Sequence, residues 1–309
     1  MHMLNKDYSF DEFERVLFLD WKEKISIDLK GGSVASLDWY IGDNIRISPF
    51  QHLSSVTKFQ KLNSHFFNQN QSCLNLSRVS NNNEILEALT NGADGIIIEA
   101  LDVNSFNETL EGVIPEICHL SFSCVDPISI YASYYNWLLD VTKEDQKVNG
   151  FIFQTNLLDQ PKNHDFGIDV YTRLLSKISS INGMRFIQIS GKAIENQNHS
   201  IGQGLSEMCS KLVYFIEKLS NGGCLIDRII SSMFFDLQIG DKFYLEIARI
   251  RSLRFLSTLI MKAYGLNKDF IVPIHITTQP KKDFEEISNS TQLMSAYLGG
   301  AYSASTSNE

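Results

Sequence analysis

The chain has 309 residues, 43% hydrophobic and 20% charged, an ordinary globular mixture and long enough for one full-sized barrel or sheet domain. A formal net charge of -9 argues against a broad nucleic-acid or membrane-surface role, both of which need a basic face, and means that any polyanion site must be built from local Lys and Arg. Met1 to Phe10 holds no apolar signal core, and the five cysteines (Cys73, Cys118, Cys124, Cys209, Cys224) lack paired CxxC spacing, so a soluble, cytoplasmic protein with buried thiols and no metal site is expected.

Phe10, Phe13, Leu17, Trp21, Ile25 and Leu29 recur at threes and fours, which predicts a helix over 10–30, stopped by Gly31-Gly32. Two short extended pieces follow, Leu37 to Ile41 and Ile45 to Ile47, the second broken by Pro49. Residues 1–60 thus form an arm suited to gripping either the rest of the chain or a partner, with Trp21 and Trp39 as candidate interface anchors.

From residue 73 short β-rich runs alternate with helical stretches. The strands are read at Cys73–Val79, Gly95–Ala100, Ile117–Cys124, Gly150–Thr155, Arg185–Ser190, Met233–Leu237, Ile271–Thr278 and Gly300–Ser305. The helices fall near 83–91, 105–114, 127–142, 168–180, 203–220, 242–264 and 287–298. This alternation predicts an α/β fold, a (β/α)8 TIM barrel over 61–309, with an open doubly wound sheet as the competing arrangement.

Several strands carry small polar residues on one parity: Asn75 and Ser77, Ser121 and Ser123, Gln188 and Ser190, His275 and Thr277, Ser303 and Ser305. The opposite parity (Leu74, Leu76, Phe122, Ile187, Ile189, Ile274, Ile276) suits packing against helices. If the polar set faces inward, the barrel either admits an elongated polar ligand or is plugged, its hydroxyls bonding to one another and to trapped water.

Other features carry chemistry more weakly. His199-Ser-Ile-Gly202 contains the HxxG part of a cobalt-ligating loop, but Gln197 stands where the orienting Asp belongs, and a solvated loop histidine competes. Gly202-Gln-Gly204 reads as a turn entering a helix. Glu99, Asp126 and Asp236 lie near strand ends as acids or helix caps, and Asp126 before Pro127 is a good cap. Arg249, Arg251 and Arg254 follow Glu246 on the longest helix, to bind phosphate or a partner carboxylate, or to line a salt-bridged face.

Three blocks together resemble the methylmalonyl-CoA mutase family. The first is the arm, with Trp21, Asp28-Leu-Lys-Gly31, Leu37-Asp-Trp39 and Ile45-Arg-Ile-Ser-Pro49. The second and most specific is Phe243-Tyr-Leu-Glu246-Ile-Ala-Arg249-Ile-Arg251-Ser-Leu-Arg254-Phe-Leu256. The third is His275-Ile-Thr-Thr278 followed by Ser295-Ala-Tyr-Leu-Gly299-Gly-Ala-Tyr-Ser303. The resemblance implies a barrel threaded in catalytic members by the coenzyme A arm, with adenosylcobalamin capping its C-terminal mouth. It makes Asn75, Ser77, Ser121, Ser123, Gln188, Ser190, His275 and Thr277 the candidate substrate lining.

The departures redirect the function. The family's aromatic and arginine-rich first-strand stretch reads Asn70-Gln-Ser-Cys-Leu-Asn-Leu-Ser77. Its G-Y-H reads Gly191-Lys192-Ala193 and its DPL reads Asn156-Leu-Leu158; the C-terminal cobalamin domain is expected to be either never encoded or cut away. The chain is therefore similar to the family's small subunit. It is expected to have no catalytic residues, to bind no metal, and to pair with a large catalytic subunit that holds adenosylcobalamin; alone, it would self-associate. The alternative is a stand-alone barrel enzyme or acyl-CoA-binding protein with its site at the C-terminal mouth.

Overall fold

A computed structural model describes residues 16–41, 45–50, 72–99, 101, 103–141, 149–154, 164–177, 183–191, 200–266, 271–279 and 285–307, with side chains of 164–167 excluded. By internal contacts the chain divides into two units, residues 1–65 and 66–309.

In the first unit, α1 (Phe18–Asp28) is followed by β1 (Trp39–Ile41) and β2 (Ile45–Ile47), which pair antiparallel with Trp39 opposite Ile47. Asp38 accepts from Arg46 Nε at 2.7 Å and pins the hairpin base. Trp21 stacks on Phe50 at 4.3 Å, with Phe18 5.8 Å from Phe50, so aromatic stacking holds the arm together. The helix begins later than the periodicity predicts, and residues 10–15 lie outside the described set. No residue of α1 is buried.

The second unit alternates strand and helix. In chain order it runs β3 (Leu74–Val79), α2 (Asn82–Thr90), β4 (Gly95–Glu99), α3 (Phe106–Thr109), β5 (His119–Cys124), α4 (Pro127–Val141), β6 (Gly150–Gln154) and α5 (His164–Lys177). It continues with β7 (Met184–Arg185), β8 (Ile187–Ser190), α6 (Ile201–Asn221), α7 (Ile226–Ser231), β9 (Met233–Ile239), α8 (Phe243–Ala263), β10 (Ile274–Thr278), α9 (Glu285–Gly299) and β11 (Ser303–Ser305). Helix α3 is shorter than its pattern predicts, and α7 is an extra turn that the periodicity does not reveal.

The parallel strands follow the order β7-β6-β5-β4-β3-β11-β10-β9-β8. Its two edges, β7 and β8, are separated in sequence only by Phe186, so they are one strand interrupted at a single residue and the sheet closes on itself. That makes eight strands around an axis with helices between successive strands: a (β/α)8 barrel, not the open sheet. Below the break β7 pairs with β6, and above it β8 pairs with β9. Side chains bridge the remaining gap. Gln154 N donates to Gln188 Oε1 at 2.7 Å, and Gln154 Nε2 donates to the Phe186 carbonyl at 3.2 Å. The hydroxyl of Tyr171, fully buried on α5, donates to Gln154 Oε1 at 3.2 Å and holds that amide in place.

Two apolar clusters result. The larger lies between strands and helices and includes Ile96, Ile98, Phe122, Ile187, Ile189, Phe235, Leu237, Ile274 and Ile276. The smaller is axial: Leu76, Ile97, Phe151, Phe153 and Phe234, flanked by Leu74 and Tyr302. Phe151 stacks on Phe234 at 4.6 Å, and Phe153 meets Phe234 edge-on at 5.2 Å. His275 packs 4.9 Å from Phe153, and His119 4.7 Å from Phe151. These rings fill the axis, which resolves the alternatives left by strand parity: the barrel is plugged. Gly150 allows this packing, because a Cβ there would overlap the Leu120 carbonyl.

Two consequences can be measured. Phe151→Ala removes the ring shared by the axial stack and should destabilise by about 3–5 kcal/mol, lowering Tm by on the order of 10 °C. His119 is 4% exposed, and burial, reinforced by the Arg185 charge, pushes its imidazole down to about 3. Between pH 6.5 and 3 the unfolded chain therefore binds a proton that the folded chain refuses. Its contribution to stability falls as the pH falls, by up to about 1.4 kcal/mol per pH unit. Urea midpoints from pH 7.5 to 5 should drop more steeply in the wild type than in His119→Gln; equal slopes refute this account.

Candidate functional site

Ladder register decides which side chains look inward, since residues aligned across parallel strands share a face. Ser121 aligns with axial Ile97, Ser123 with Phe153, and Gln188 with Phe234. His275 aligns with Ser303 and Asp236, Ser190 with Asp236, and Thr277 with Ser305. These residues face the barrel interior. Asn75 and Ser77 do not: they align with Ala304 and Ile96 of the outer cluster. The expected parity is thus corrected on β3, where Leu74, Leu76 and Arg78 are the inward set. The reason is local, because β3 carries apolar or long side chains on one parity and small polar ones on the other, and either set can be accommodated next to helix ends.

The inward polar groups mostly bond to each other. His275 is wholly buried, its Nδ1 2.9 Å from Ser303 Oγ and its Nε2 3.2 Å from Ser305 Oγ. Ser121 Oγ lies 3.1 Å from His119 Nδ1 and accepts from Phe151 N at 3.1 Å. Gln188 Nε2 donates to Asp236 Oδ2 at 2.7 Å, tying the closure clamp to β9. His119 and His275 sit beside phenyl rings with hydroxyl partners already in place, so these buried dipoles are structural.

The C-terminal ends of the strands carry a second constellation that sequence reasoning missed. Arg78 Nη1 bonds Glu99 Oε1 at 2.6 Å, and its Nη2 donates to Thr277 Oγ1 at 3.3 Å. The ion pair bridges β3, β4 and β10 above the phenyl stack. An arginine in a strand of otherwise short or aliphatic residues was the available signal. Beside it a cavity of about 530 Å³ is lined by Glu99, Leu101, Ser123, Cys124, Asp126 and Ile130. Of the strand-end acids, Glu99 is in this pair and Asp236 is inside the clamp. Asp126 caps α4, accepting from Ile128 N at 3.1 Å and Ser129 Oγ at 2.6 Å, and the Ser129 bond leads the downward shift of its carboxyl. Burial pushes the Cys124 and Cys73 thiols up to about 12, which makes both poor nucleophiles.

The arginine series separates in three dimensions. Arg249 pairs with Glu246 at 3.0 Å, Arg251 donates to the Leu298 carbonyl at 2.9 Å, and Arg254 to the Gly300 carbonyl at 3.0 Å. The last two tie α8 to the end of α9. Ser200 caps α6, so Gly202 and Gly204 fall in the first turns of that helix and form no phosphate loop. His199, Lys192, Ala193 and Asn156–Leu158 lie outside the described residues. Trp21 is half-buried in its aromatic stack, and Trp39 is 49% exposed.

The described residues do not fit adenosylcobalamin. The two histidines whose side chains are described, His119 and His275, are both buried inside the barrel and offer no axial imidazole at its mouth. No group of three potential metal ligands occurs among the described residues, and no described helix is long and apolar enough to cross a membrane.

Comparison with known proteins agrees with the motif blocks. Residues 164–308 match the family model described as methylmalonyl-CoA mutase. The methylmalonyl-CoA mutase small subunit of Porphyromonas gingivalis (strain ATCC BAA-308 / W83) is 22% identical over 333 aligned residues, covering 96% of this chain and 53% of that protein. The chain thus spans about half the length of this curated relative. Among solved structures, a Burkholderia cenocepacia J2315 protein assigned to the phosphonomutases is similar with a TM-score of 0.43 and 9% identity, covering 82% of this chain and 91% of that one. A 2,3-dimethylmalate lyase of the PEP mutase/isocitrate lyase superfamily is similar with a TM-score of 0.39 and 10% identity, over 82% of this chain and 80% of that one. The chain is thus similar to the methylmalonyl-CoA mutase family, by the family model over residues 164–308 and by this curated relative at 22% identity.

Proposed function

We propose that this chain is a non-catalytic small subunit of a heterodimeric, adenosylcobalamin-dependent methylmalonyl-CoA mutase in the cytoplasm. Its large partner would hold the cofactor and interconvert methylmalonyl-CoA and succinyl-CoA. The observation that carries this reading is the filled axis. With Phe151, Phe153 and Phe234 packed against one another and against His275, an extended pantetheine arm has no path to the C-terminal mouth. The relative's small-subunit name and the replaced Tyr and His motifs point the same way.

The arm over residues 1–60 is the proposed grip on the partner. Its described part exposes Leu17, Leu19, Ile27, Trp39, Tyr40 and Ile45, an apolar surface that is costly in water and suited to an interface. The same surface would drive self-association of the isolated chain.

A second reading places a site for a small acyl ligand at the C-terminal mouth, favoured by the Arg78–Glu99 pair beside a cavity of about 530 Å³. Co-expression separates the two. The subunit reading expects a stable 1:1 complex with a family large subunit, measured by light scattering, with mutase activity only in preparations containing that subunit. No complex, or turnover by this chain alone, overturns it. Trp21→Ala together with Trp39→Ala should weaken that complex by about 10–100-fold while leaving the barrel's Tm unchanged.

A further inference from the structure

Between Val79 and Thr142 the sequence holds ten of its 36 acidic residues and none of its 27 Lys and Arg. This one stretch accounts for the whole negative excess, and the rest of the chain is close to neutral. In the fold it runs from the end of β3 to just past α4 and forms one flank of the barrel. The flank is continuous. Asn82 Nδ2 at the start of α2 donates to the carbonyls of Thr109 and Glu111 at 3.0 and 2.8 Å, joining α2 to the segment around α3. Phe106 of α3 packs on Phe122 at 5.6 Å and Phe122 on Tyr134 at 5.1 Å, joining that segment to α4.

Apolar side chains stand on this surface. Ile117 is 77% exposed, Leu139 60% and Ile114 53%, with Leu86 and Val141 exposed as well. The turn that carries the two isoleucines is closed by Ile117 N, which donates to the Ile114 carbonyl at 3.4 Å, and it leads into the N-terminal end of β5. Helix α4 returns from the far end of the same strand and presents Leu139 and Val141 in its last turn, so both apolar groups lie toward the N-terminal side of the barrel. Around them Glu84, Glu87, Glu108, Glu111, Glu116 and Asp140 are exposed. Among the described residues none of these carboxylates forms an ion pair. Soluble surfaces ordinarily intersperse both signs, because like charges without counter-charges repel one another in the compact state.

A buried group beneath the turn is also unsettled. The Tyr134 ring is wholly buried, and its hydroxyl has no hydrogen-bond partner among the described residues. Burial first, then the charges of Cys118 and Glu116, push this phenol up, which places it close under the turn. An unpaired buried donor is a cost that the free protein carries and that a small shift of the turn on docking removes.

We propose that this flank docks a Lys- and Arg-rich amphipathic helix of another protein, with the helix's apolar face on Ile114, Ile117 and Leu139 and its cations over the surrounding carboxylates. A helix supplies apolar groups at threes and fours with cations beside them, the pattern this surface complements. Charge selects the partner. Nucleic acids and anionic membranes are repelled, and two copies of this chain meeting through the flank would oppose like charges. The arm and the flank belong to different units, so this proposal and the subunit reading can each fail alone.

The probe is a fluorescent leucine–lysine peptide of about four helical turns, titrated into the isolated full chain at about 150 mM salt and followed by anisotropy. Saturable binding is expected, with amide hydrogen-exchange protection confined to α2, residues 106–117 and α4. A scrambled peptide of the same composition keeps the charge but has no apolar face, and should bind about tenfold more weakly. Ile117→Glu separates docking from general attraction. The added carboxylate should tighten a purely electrostatic contact, whereas docking predicts a loss of about tenfold. Glu108→Lys combined with Glu111→Lys should also weaken binding about tenfold, while Glu286→Lys, on α9 outside the flank, leaves it unchanged. All four positions are exposed, so Tm checks that the variants remain folded. Absence of saturable binding overturns the proposal. So does equal affinity for the scrambled peptide, affinity unchanged or increased in Ile117→Glu, or protection outside the flank.

Discussion

Three phenyl rings meeting on the barrel axis are the constraint on which the rest of the structure depends. Phe151, Phe153 and Phe234 come from two strands on opposite sides of the sheet's closure, and their contacts set the distance across the barrel. Once that volume is filled by rings, the polar side chains around it must find partners within the wall. His275 with its two serines and Ser121 with His119 do so. The plug also divides the interior into an upper part below the Arg78–Glu99 pair and a lower part ending at Arg185.

Closure is the second constraint, and it is met in an unusual way. A strand broken at Phe186 leaves backbone groups of β6 and β8 without ladder partners at the same level. The side-chain amides of Gln154 and Gln188 stand in for the missing backbone bonds, with Tyr171 and Asp236 fixing their orientation. A buried amide left half-bonded would cost more than an apolar replacement, so the four residues form a unit.

Much of this was legible in the chain. Alternating β-rich and helical stretches gave all eight barrel strands to within a few residues, because each segment is long enough to show its period and is punctuated by Gly, Pro or a capping residue. The family resemblance was carried by linear motifs. The ladder register turns the candidate residues of β5, β8 and β10 inward, whereas Asn75 and Ser77 on β3 face the helices. Strand period fixes which residues share a face, not which face turns to the axis.

The sequence by itself thus determined the barrel, the resemblance to the mutase family and the departures from that family's catalytic motifs, since these depend on local period and on residue identity. Tertiary structure alone decided that the axis is closed. In Gly150-Phe-Ile-Phe-Gln154 all five residues are buried and Ile152 stands opposite in parity to the two phenyl rings, so no clean alternation marks the phenyl parity as the inner one. Only the ladder register brings Phe151 and Phe153 onto Phe234.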